Sequence, residues 1–206
     1  MSMKQFSWSC IQNASSSSPV RVLTSGCLVG QKVGWNDTDY SSDVVHRVIK
    51  NPKVQSFHFC PEHIILGTPR LFTTIYNGNG YDVLDGKAQV LDTDKNDHSE
   101  KFRYAAEQML AFAKSNKIDL AILMEISDSC GSSTIYLGNP EEKVYQKGPG
   151  VSAALLIRHG IPVLGSRDYR TLGEILRALE NDESILQDGI DFCEDPWYKE
   201  YFGQYV

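Results

Sequence analysis

The most regular pattern in the sequence is an amphipathic helix that is followed closely by an uninterrupted apolar run. Apolar residues recur every three or four positions between Phe102 and Ala113, which predicts a helix capped by Ser99. The run Leu120–Met124 is apolar at every position, as is typical of a strand covered on both faces. Further strand-like runs alternate with helical segments, at Val20–Thr24, Val54–Phe59 and Ile161–Leu164. This alternation predicts a single α/β domain with three layers, in which a largely parallel sheet carries helices on both faces.

Shifts in composition divide the chain into three parts. Residues 1–19 are predicted to form an N-terminal arm, because the run SSSSP that ends at position 19 favours neither helix nor strand. Residues 20–165 carry the α/β pattern, with loops around one short strand predicted for the Gly-, Asn- and Asp-rich stretch 67–98. Residues 166–206 are expected to form a helix over Thr171–Leu179, followed by an aromatic and acidic tail that packs on the domain.

The charge balance and the apolar content narrow the classes of partner. Twenty Lys and Arg residues against 26 Asp and Glu residues leave a formal net charge of −6, which disfavours nucleic acid and favours a small-molecule partner. No apolar run approaches the roughly 20 residues that a membrane helix needs, and the first residues lack the pattern of a signal peptide. We therefore expect a cytoplasmic protein without membrane contact, and we leave open whether it forms a homodimer.

Five cysteines in a chain without an export signal indicate thiols used for chemistry or metal binding rather than disulfides. Cys27, Cys60 and Cys130 each follow a predicted strand, at the sheet edge where α/β proteins bind ligands. Cys10 and Cys193 lie in the terminal extensions. Three thiolates could hold an iron–sulfur cluster with one iron open to substrate, which points to sulfur chemistry without electron transfer. Structural zinc fits less well because CxxC spacing is absent, and each cysteine alone is also consistent with a small buried apolar residue.

Four motifs, in this order along the chain, resemble those of the thiouracil desulfidase family. They are SGCLVG at Ser25–Gly30, CPE at Cys60–Glu62 with TPR at Thr68–Arg70, SDSCGS at Ser127–Ser132, and GPGVSAALL at Gly148–Leu156. The resemblance covers about residues 20–165. Members of this family carry a [4Fe–4S] cluster on three cysteines, and the fourth iron takes the sulfur of a thiolated uracil.

The resemblance implies roles for particular residues and a particular reaction. The motif cysteines correspond to Cys27, Cys60 and Cys130, which are expected to hold a [4Fe–4S] cluster that is prone to loss in air. The family's acid–base glutamate and positioning serine correspond to Glu62 and Ser127. The implied reaction is a non-redox, hydrolase-like desulfuration of a thiolated pyrimidine base or nucleotide, with release of sulfide. Further substrate contacts are predicted within the same motifs, at Ser25, Ser129, Gly131 and Gly150.

Several alternatives stay open at the level of sequence. Glu62 could be an exposed loop residue, Ser127 a turn serine that binds backbone N–H groups before Cys130, and Arg70 the partner of either a substrate phosphate or a structural carboxylate. The chain reads VGWND at 33–37 where the family has Val-Arg-Tyr-Asp-Gly, and SDSCG where it has SPSCG, which leaves the substrate open. Two other functions remain: a sensor or storage protein for a cluster or hydrosulfide, and a cysteine-nucleophile enzyme without a cluster.

Overall fold

A four-stranded parallel sheet lies at the centre of the computed structural model, which describes residues 8–138, 140–182 and 189–203. The strands stand in the order β2-β1-β5-β8, with bounds β1 (Val20–Ser25), β2 (Val54–Phe59), β5 (Leu120–Leu123) and β8 (Val163–Gly165). All the pairings within this sheet are parallel, and Val22 of β1 lies between Ser56 of β2 and Leu120 of β5. The predicted parallel sheet within a single domain is confirmed.

Helices cover both faces of this sheet. On one face lie α1 (Trp8–Gln12), α2 (Asp43–Lys50) and α7 (Tyr169–Glu180), and on the other lie α5 (Ser99–Ser115) and α6 (Val151–Arg158). The alternation of side chains along β1 separates the two cores, because Val22 packs in the first and Leu23 in the second. All residues of β5 are buried, as the uninterrupted apolar run predicts. The three-layer arrangement is therefore confirmed as well.

The segment 67–98 contains more regular structure than the predicted loops around one strand. It forms an antiparallel pair with a helix between the strands: β3 (Thr73–Tyr76), α4 (Gly80–Leu84) and β4 (Gln89–Asp92). Asn79 caps α4, since its side chain accepts the Tyr81 N–H while Asp82 accepts the Asn79 N–H. This capping box explains why a Gly- and Asn-rich stretch forms a helix, and β4 corresponds to the strand predicted near 87–91.

The prediction that Ser99 caps α5 is wrong. Ser99 is the first residue of the helix, and His98 holds the cap position. The Ser99 hydroxyl accepts the Val90 N–H at 2.9 Å and donates to Asp97. It therefore attaches the start of α5 to β4 instead of closing the first turn of the helix.

The remaining elements are α3 (Pro61–Leu66), the antiparallel pair β6 (Thr134–Tyr136) and β7 (Tyr145–Lys147), and α8 (Pro196–Gly203). The Tyr145 N–H donates to the Tyr201 hydroxyl at 2.9 Å, so α8 contacts β7. Within the segment predicted as an arm, α1 buries Ile11. Residues 1–7 of that arm, and residues 183–188 and 204–206 of the C-terminal part, lie outside the described residues. Among the described residues no helix combines the length and apolar character that crossing a membrane requires.

Candidate functional site

Three cysteines from distant parts of the chain line one cavity at the C-terminal edge of the sheet. Cys27 lies in the 3₁₀ turn that follows β1, Cys60 between β2 and α3, and Cys130 in the loop after β5. Because β2, β1 and β5 are neighbours, their ends bring the three side chains to a cavity of about 120 Å³. Cys10 and Cys193 are not among the residues that line it. The cysteines thus divide into a group of three at the cavity and two elsewhere.

The three thiols lie in surroundings that favour their neutral form. Burial raises the pKa of Cys27 to about 12, with a further contribution from charge on Cys60. Burial likewise raises the pKa of Cys60 to about 11, with a contribution from Glu62, and raises the pKa of Cys130. Thiols in such surroundings are weak nucleophiles at neutral pH, whereas a bound metal centre would stabilise them as thiolates.

The Glu62 carboxylate lies between Arg70 and Ser127. Glu62 is in the first turn of α3, and its Oε2 accepts hydrogen bonds from Arg70 Nη2 at 2.8 Å and Nε at 3.2 Å. The Ser127 hydroxyl donates to the other oxygen, Oε1, at 3.3 Å. The sequence left two partners open for Arg70, a substrate phosphate and a structural carboxylate. The structure shows the second, because Arg70 pairs with Glu62.

Arg70 also connects the loops around the cavity. Its Nη1 donates to the backbone oxygens of Val33 and Gly67 and to the Thr68 hydroxyl, at 3.0–3.1 Å. The Val33 oxygen is in addition 3.8 Å from Cys60 Sγ, which donates to it. The segment 33–37, which departs from the family pattern, is thereby attached to the loop that carries Cys60.

Two serines hold the loop of Cys130 in place. Ser127 Oγ accepts the N–H groups of Ser129 at 3.3 Å and Cys130 at 3.1 Å, so it is a turn serine as well as a partner of Glu62. Ser25 Oγ accepts the Met124 N–H at 3.0 Å, at the end of β5 from which this loop starts. Both serines line the cavity.

Ser129, Gly131 and Gly150 are not among the residues that line the cavity. Ser129 Oγ pairs with Ser152 Oγ at 3.1 Å, and the Gly150 N–H donates to the Gly131 oxygen at 2.9 Å. A Cβ on Gly150 would lie 2.5 Å from the Ser127 oxygen, which shows how closely the start of α6 approaches this loop. In the structure Ser129 and Gly131 belong to the loop of Cys130, and Gly150 packs against that loop from the start of α6. The predicted contact of these three residues with substrate stays a prediction.

Two buried carboxyl groups at or beside the site, Glu125 and Asp128, are not among the predicted site residues. Glu125 is 1% exposed and accepts the backbone N–H groups of Ser132, Ser133 and Thr134 at 3.0–3.3 Å. Asp128 lines the cavity, and burial, together with the charge of Glu62, raises its pKa well above the usual range. The signal for Glu125 is a charge directly after the apolar strand, and the signal for Asp128 is the aspartate that replaces proline in SDSCG.

Aromatic rings form one wall of the cavity. Trp35 contacts Phe72 edge-on with ring centroids 5.7 Å apart, and Phe72 contacts Tyr136 edge-on at 5.2 Å. All three residues line the cavity. Aromatic walls of this kind suit planar ring ligands, because the rings offer both stacking and edge-to-face contacts. The signal in the sequence is Trp35, within the segment that departs from the family pattern.

Comparison with known proteins identifies the family. A profile of the family described as 2-thiouracil desulfurase matches residues 22–168. The chain belongs to this family. It is 35% identical over 154 residues to the uncharacterized protein YbbK of Bacillus subtilis (strain 168), a match that covers 73% of this chain and 99% of that protein. The resemblance drawn from four sequence motifs is therefore confirmed.

A solved structure of a protein from the same family superposes on this chain. It is the [4Fe-4S]-dependent thiouracil desulfidase TudS, with a TM-score of 0.62 and 30% sequence identity. The match covers 79% of this chain and 99% of that protein. The chain therefore shares the fold of a 2-thiouracil desulfurase that depends on a [4Fe–4S] cluster.

The donor set at the cavity fits such a cluster. It consists of three thiols, the ligand type that binds iron–sulfur clusters. A [4Fe–4S] cluster has four irons and ordinarily takes one thiolate on each, so three thiols would leave one iron without a protein ligand. Among the described residues, no three His, Cys, Asp or Glu side chains converge closely enough to hold one metal ion. A cluster does not require that convergence, since each thiolate binds a different iron.

Proposed function

We propose that this member of the 2-thiouracil desulfurase family converts the C=S group of a thiolated pyrimidine base or nucleotide into C=O and releases sulfide. The observation that carries the proposal is the meeting of Cys27, Cys60 and Cys130 at a cavity that also contains the Glu62 carboxylate. Family membership and the similarity to a [4Fe-4S]-dependent thiouracil desulfidase support the same reaction.

In this proposal Cys27, Cys60 and Cys130 hold a [4Fe–4S] cluster. When bound, the cluster supplies an iron without a protein ligand, which attracts sulfur and polarises the C=S bond. The three cysteines would bind and orient the cluster, and the burial of Cys27 and Cys130 would limit the access of water to it.

Glu62 acts as the general base. Water adds to the thione carbon, and Glu62 accepts a proton from that water through Oε1, the oxygen outside the Arg70 ion pair. A C–O bond forms and the bond between carbon and sulfur breaks, while Glu62 gives its proton to the departing sulfur and takes the proton of the added hydroxyl as the carbonyl forms. Sulfur leaves as hydrosulfide, and once Glu62 loses its proton again the sum is thione plus water giving carbonyl plus hydrogen sulfide. No electrons are transferred to or from another molecule, so the reaction needs no external oxidant or reductant.

Ser127 and Arg70 position this base. Arg70 fixes Oε2, and Ser127 fixes Oε1 while its oxygen also holds the Cys130 loop. Ser127 thus sets the distance between the base and the loop of one proposed cluster ligand. Both residues act on Glu62 through hydrogen bonds, as positioning residues.

Anaerobic purification and reconstitution with iron and sulfide tests the proposal. We expect about four irons per chain and release of sulfide from 2-thiouracil. Cys27→Ala, Cys60→Ala and Cys130→Ala should each lose the iron, and Cys10→Ala and Cys193→Ala are the matched controls that should keep it.

Three results would contradict the proposal in different ways. A chain that takes up no iron under these conditions excludes the cluster. Sulfide release that depends on only one cysteine, without iron, indicates a cysteine nucleophile. A cluster-loaded protein that releases no sulfide from thiolated pyrimidines indicates a sensor or storage role.

A further inference from the structure

A buried threonine carries an unpaired hydroxyl at the wall of the cavity. Thr73 is the first residue of β3, is 5% exposed and lines the cavity. Within the described part of the chain its hydroxyl makes no hydrogen bond. The unpaired side-chain atoms that are closed off from solvent in that part are His98 Nδ1 and Asp128 Oδ1, and the Thr73 hydroxyl is not one of them. The hydroxyl is therefore open, and the space that it faces is the cavity.

The next residue along the strand has the same side chain in a structural role. The Thr74 hydroxyl donates to the Tyr136 oxygen at 3.0 Å and accepts the Gly138 N–H at 3.2 Å, so it attaches β3 to the end of β6. Successive side chains of a strand point to opposite faces, which explains why Thr73 has no part in this attachment. The backbone of Thr73 is paired with Asp92 of β4, which holds its side chain in place. A fixed hydroxyl that is shielded from water and has no partner in the protein fits a polar group of a ligand.

The ligand group that Thr73 fits is a hydrogen-bond acceptor, because other donors around the cavity are already used. Arg70 donates to Glu62 and to the backbone oxygens of Val33 and Gly67, and the Ser127 hydroxyl donates to Glu62. A uracil ring with one sulfur keeps one carbonyl oxygen. The sulfur is the group that reacts, so the oxygen is left to be recognised by the protein. A carbonyl oxygen that leaves water without gaining a donor weakens binding.

We propose that Thr73 binds the pyrimidine by donating a hydrogen bond to its ring carbonyl oxygen, an inference that rests on the function proposed above. Phe72, the residue before Thr73, lines the same cavity and contacts Tyr136 edge-on with ring centroids 5.2 Å apart. Such rings contact a planar ligand, and the hydroxyl binds a polar atom at its edge. The two contacts together determine how the pyrimidine lies in the cavity.

Variants at this position separate the hydroxyl from the rest of the side chain. Thr73→Val replaces the hydroxyl by a methyl group at nearly unchanged shape, and Thr73→Ser keeps the hydroxyl without the methyl group. Thr73→Ala also removes the hydroxyl and gives the same comparison if Thr73→Val does not fold. Thr93→Val, at an exposed position after β4, is the matched control.

Binding of uracil to the reconstituted proteins is measured by calorimetry under anaerobic conditions. Uracil lacks sulfur, so binding is read without turnover. We expect Thr73→Val to bind uracil about fivefold to a hundredfold more weakly than the wild type. Thr73→Ser and Thr93→Val should stay within about threefold of the wild type.

Urea unfolding of the same variants separates a binding role from a structural one. Thr73→Val should keep the midpoint of the wild type, because the hydroxyl that it removes has no partner in the protein. Thr74→Val should lower the midpoint, since it leaves the Gly138 N–H without its acceptor. An equal fall in both variants would show that the Thr73 hydroxyl is bound within the protein, and would overturn the inference.

Equal affinity of the wild type and Thr73→Val for uracil would also overturn the role of Thr73, as would no binding of uracil by the wild type. A loss of affinity that Thr73→Ser shares would do the same, because the methyl group and not the hydroxyl would then matter. Sulfide release from 2-thiouracil is measured on the same samples. Sulfide release together with unchanged uracil binding in Thr73→Val refutes only the inference, and hydroxyl-dependent binding without sulfide release refutes only the proposed function.

Discussion

Arg70 binds Glu62 through a single carboxylate oxygen. Nη2 and Nε both donate to Oε2, at 2.8 and 3.2 Å, which leaves Oε1 to face Ser127. The side chains of this pair are 6% and 17% exposed. The arginine therefore orients the carboxylate that we propose as the base and is itself shielded from solvent.

Breaking this ion pair should cost far more than breaking an exposed one. Arg70→Met leaves a largely buried carboxylate unpaired and removes bonds to Val33, Gly67 and Thr68, so we expect a loss of about 3–5 kcal/mol in the free energy of unfolding. Arg47→Met is the matched control, because Arg47 pairs with Glu180 at the surface, and should cost less than about 1 kcal/mol. Urea unfolding measures both, and equal losses would show that the burial of the Arg70 pair does not matter.

Replacing the proposed base should remove activity without removing the cluster. Glu62→Gln keeps the shape of the side chain but cannot accept a proton, so we expect sulfide release to fall about 10²- to 10⁴-fold. The iron content should stay at the wild-type level, because the three cysteines are untouched. Glu100→Gln, at an exposed position on α5, is the control for loss of a carboxylate. Turnover at the wild-type rate in Glu62→Gln would exclude the assigned role.

Glu125 should be important for stability although it does not line the cavity. Its carboxylate accepts hydrogen bonds from three successive backbone N–H groups at 132–134 and from the Ser132 and Ser133 hydroxyls. Glu125→Gln turns an NH₂ group towards these donors, so some of the buried N–H and O–H groups lose their acceptor. We expect the free energy of unfolding to fall by about 2–3 kcal/mol and Tm to fall by about 5–10 °C. Thermal unfolding measures the change, with the exposed Glu107→Gln as control. An unchanged Tm would mean that the loop after Cys130 does not depend on Glu125.

Asp168 should make the protein less stable as the pH rises from about 4 to 6. Burial, with contributions from the charges of Glu125 and Asp191, raises the pKa of Asp168 to about 6, against 3.8 for an unperturbed side chain. Between these values the folded chain keeps a proton that the unfolded chain has lost, so the stabilisation is complete below 3.8 and is lost as the pH passes 6. The difference between the two pKa values corresponds to a loss of at most about 3 kcal/mol in the free energy of unfolding.

Urea unfolding at pH 4 and pH 6 measures this effect. The free energy of unfolding of the wild type should fall between the two values more steeply than that of Asp168→Asn, which has no proton to lose. Asp37→Asn, at an exposed position, should follow the wild type. Parallel curves for the wild type and Asp168→Asn would contradict the assigned pKa.

The sequence alone determined the layers of the fold and the group of three cysteines. The apolar run at 120–124 could only be buried on both faces, and its alternation with amphipathic helices left few arrangements other than a covered parallel sheet. Cys27, Cys60 and Cys130 were predictable as a group because each follows a strand, and the strands of a parallel sheet end at one edge.

Only the tertiary structure decided what surrounds these cysteines. Glu62 and Ser127 are 65 positions apart, and no local pattern predicts that they meet or that Arg70 is the partner of Glu62. The spacing of apolar residues along a helix or strand indicates which of its faces is buried, because apolar side chains are the ones that leave water. The polar groups inside the cavity come from loops that are distant in the sequence. They meet, and form hydrogen bonds, only where the folded chain brings these loops together, so no local pattern predicts them.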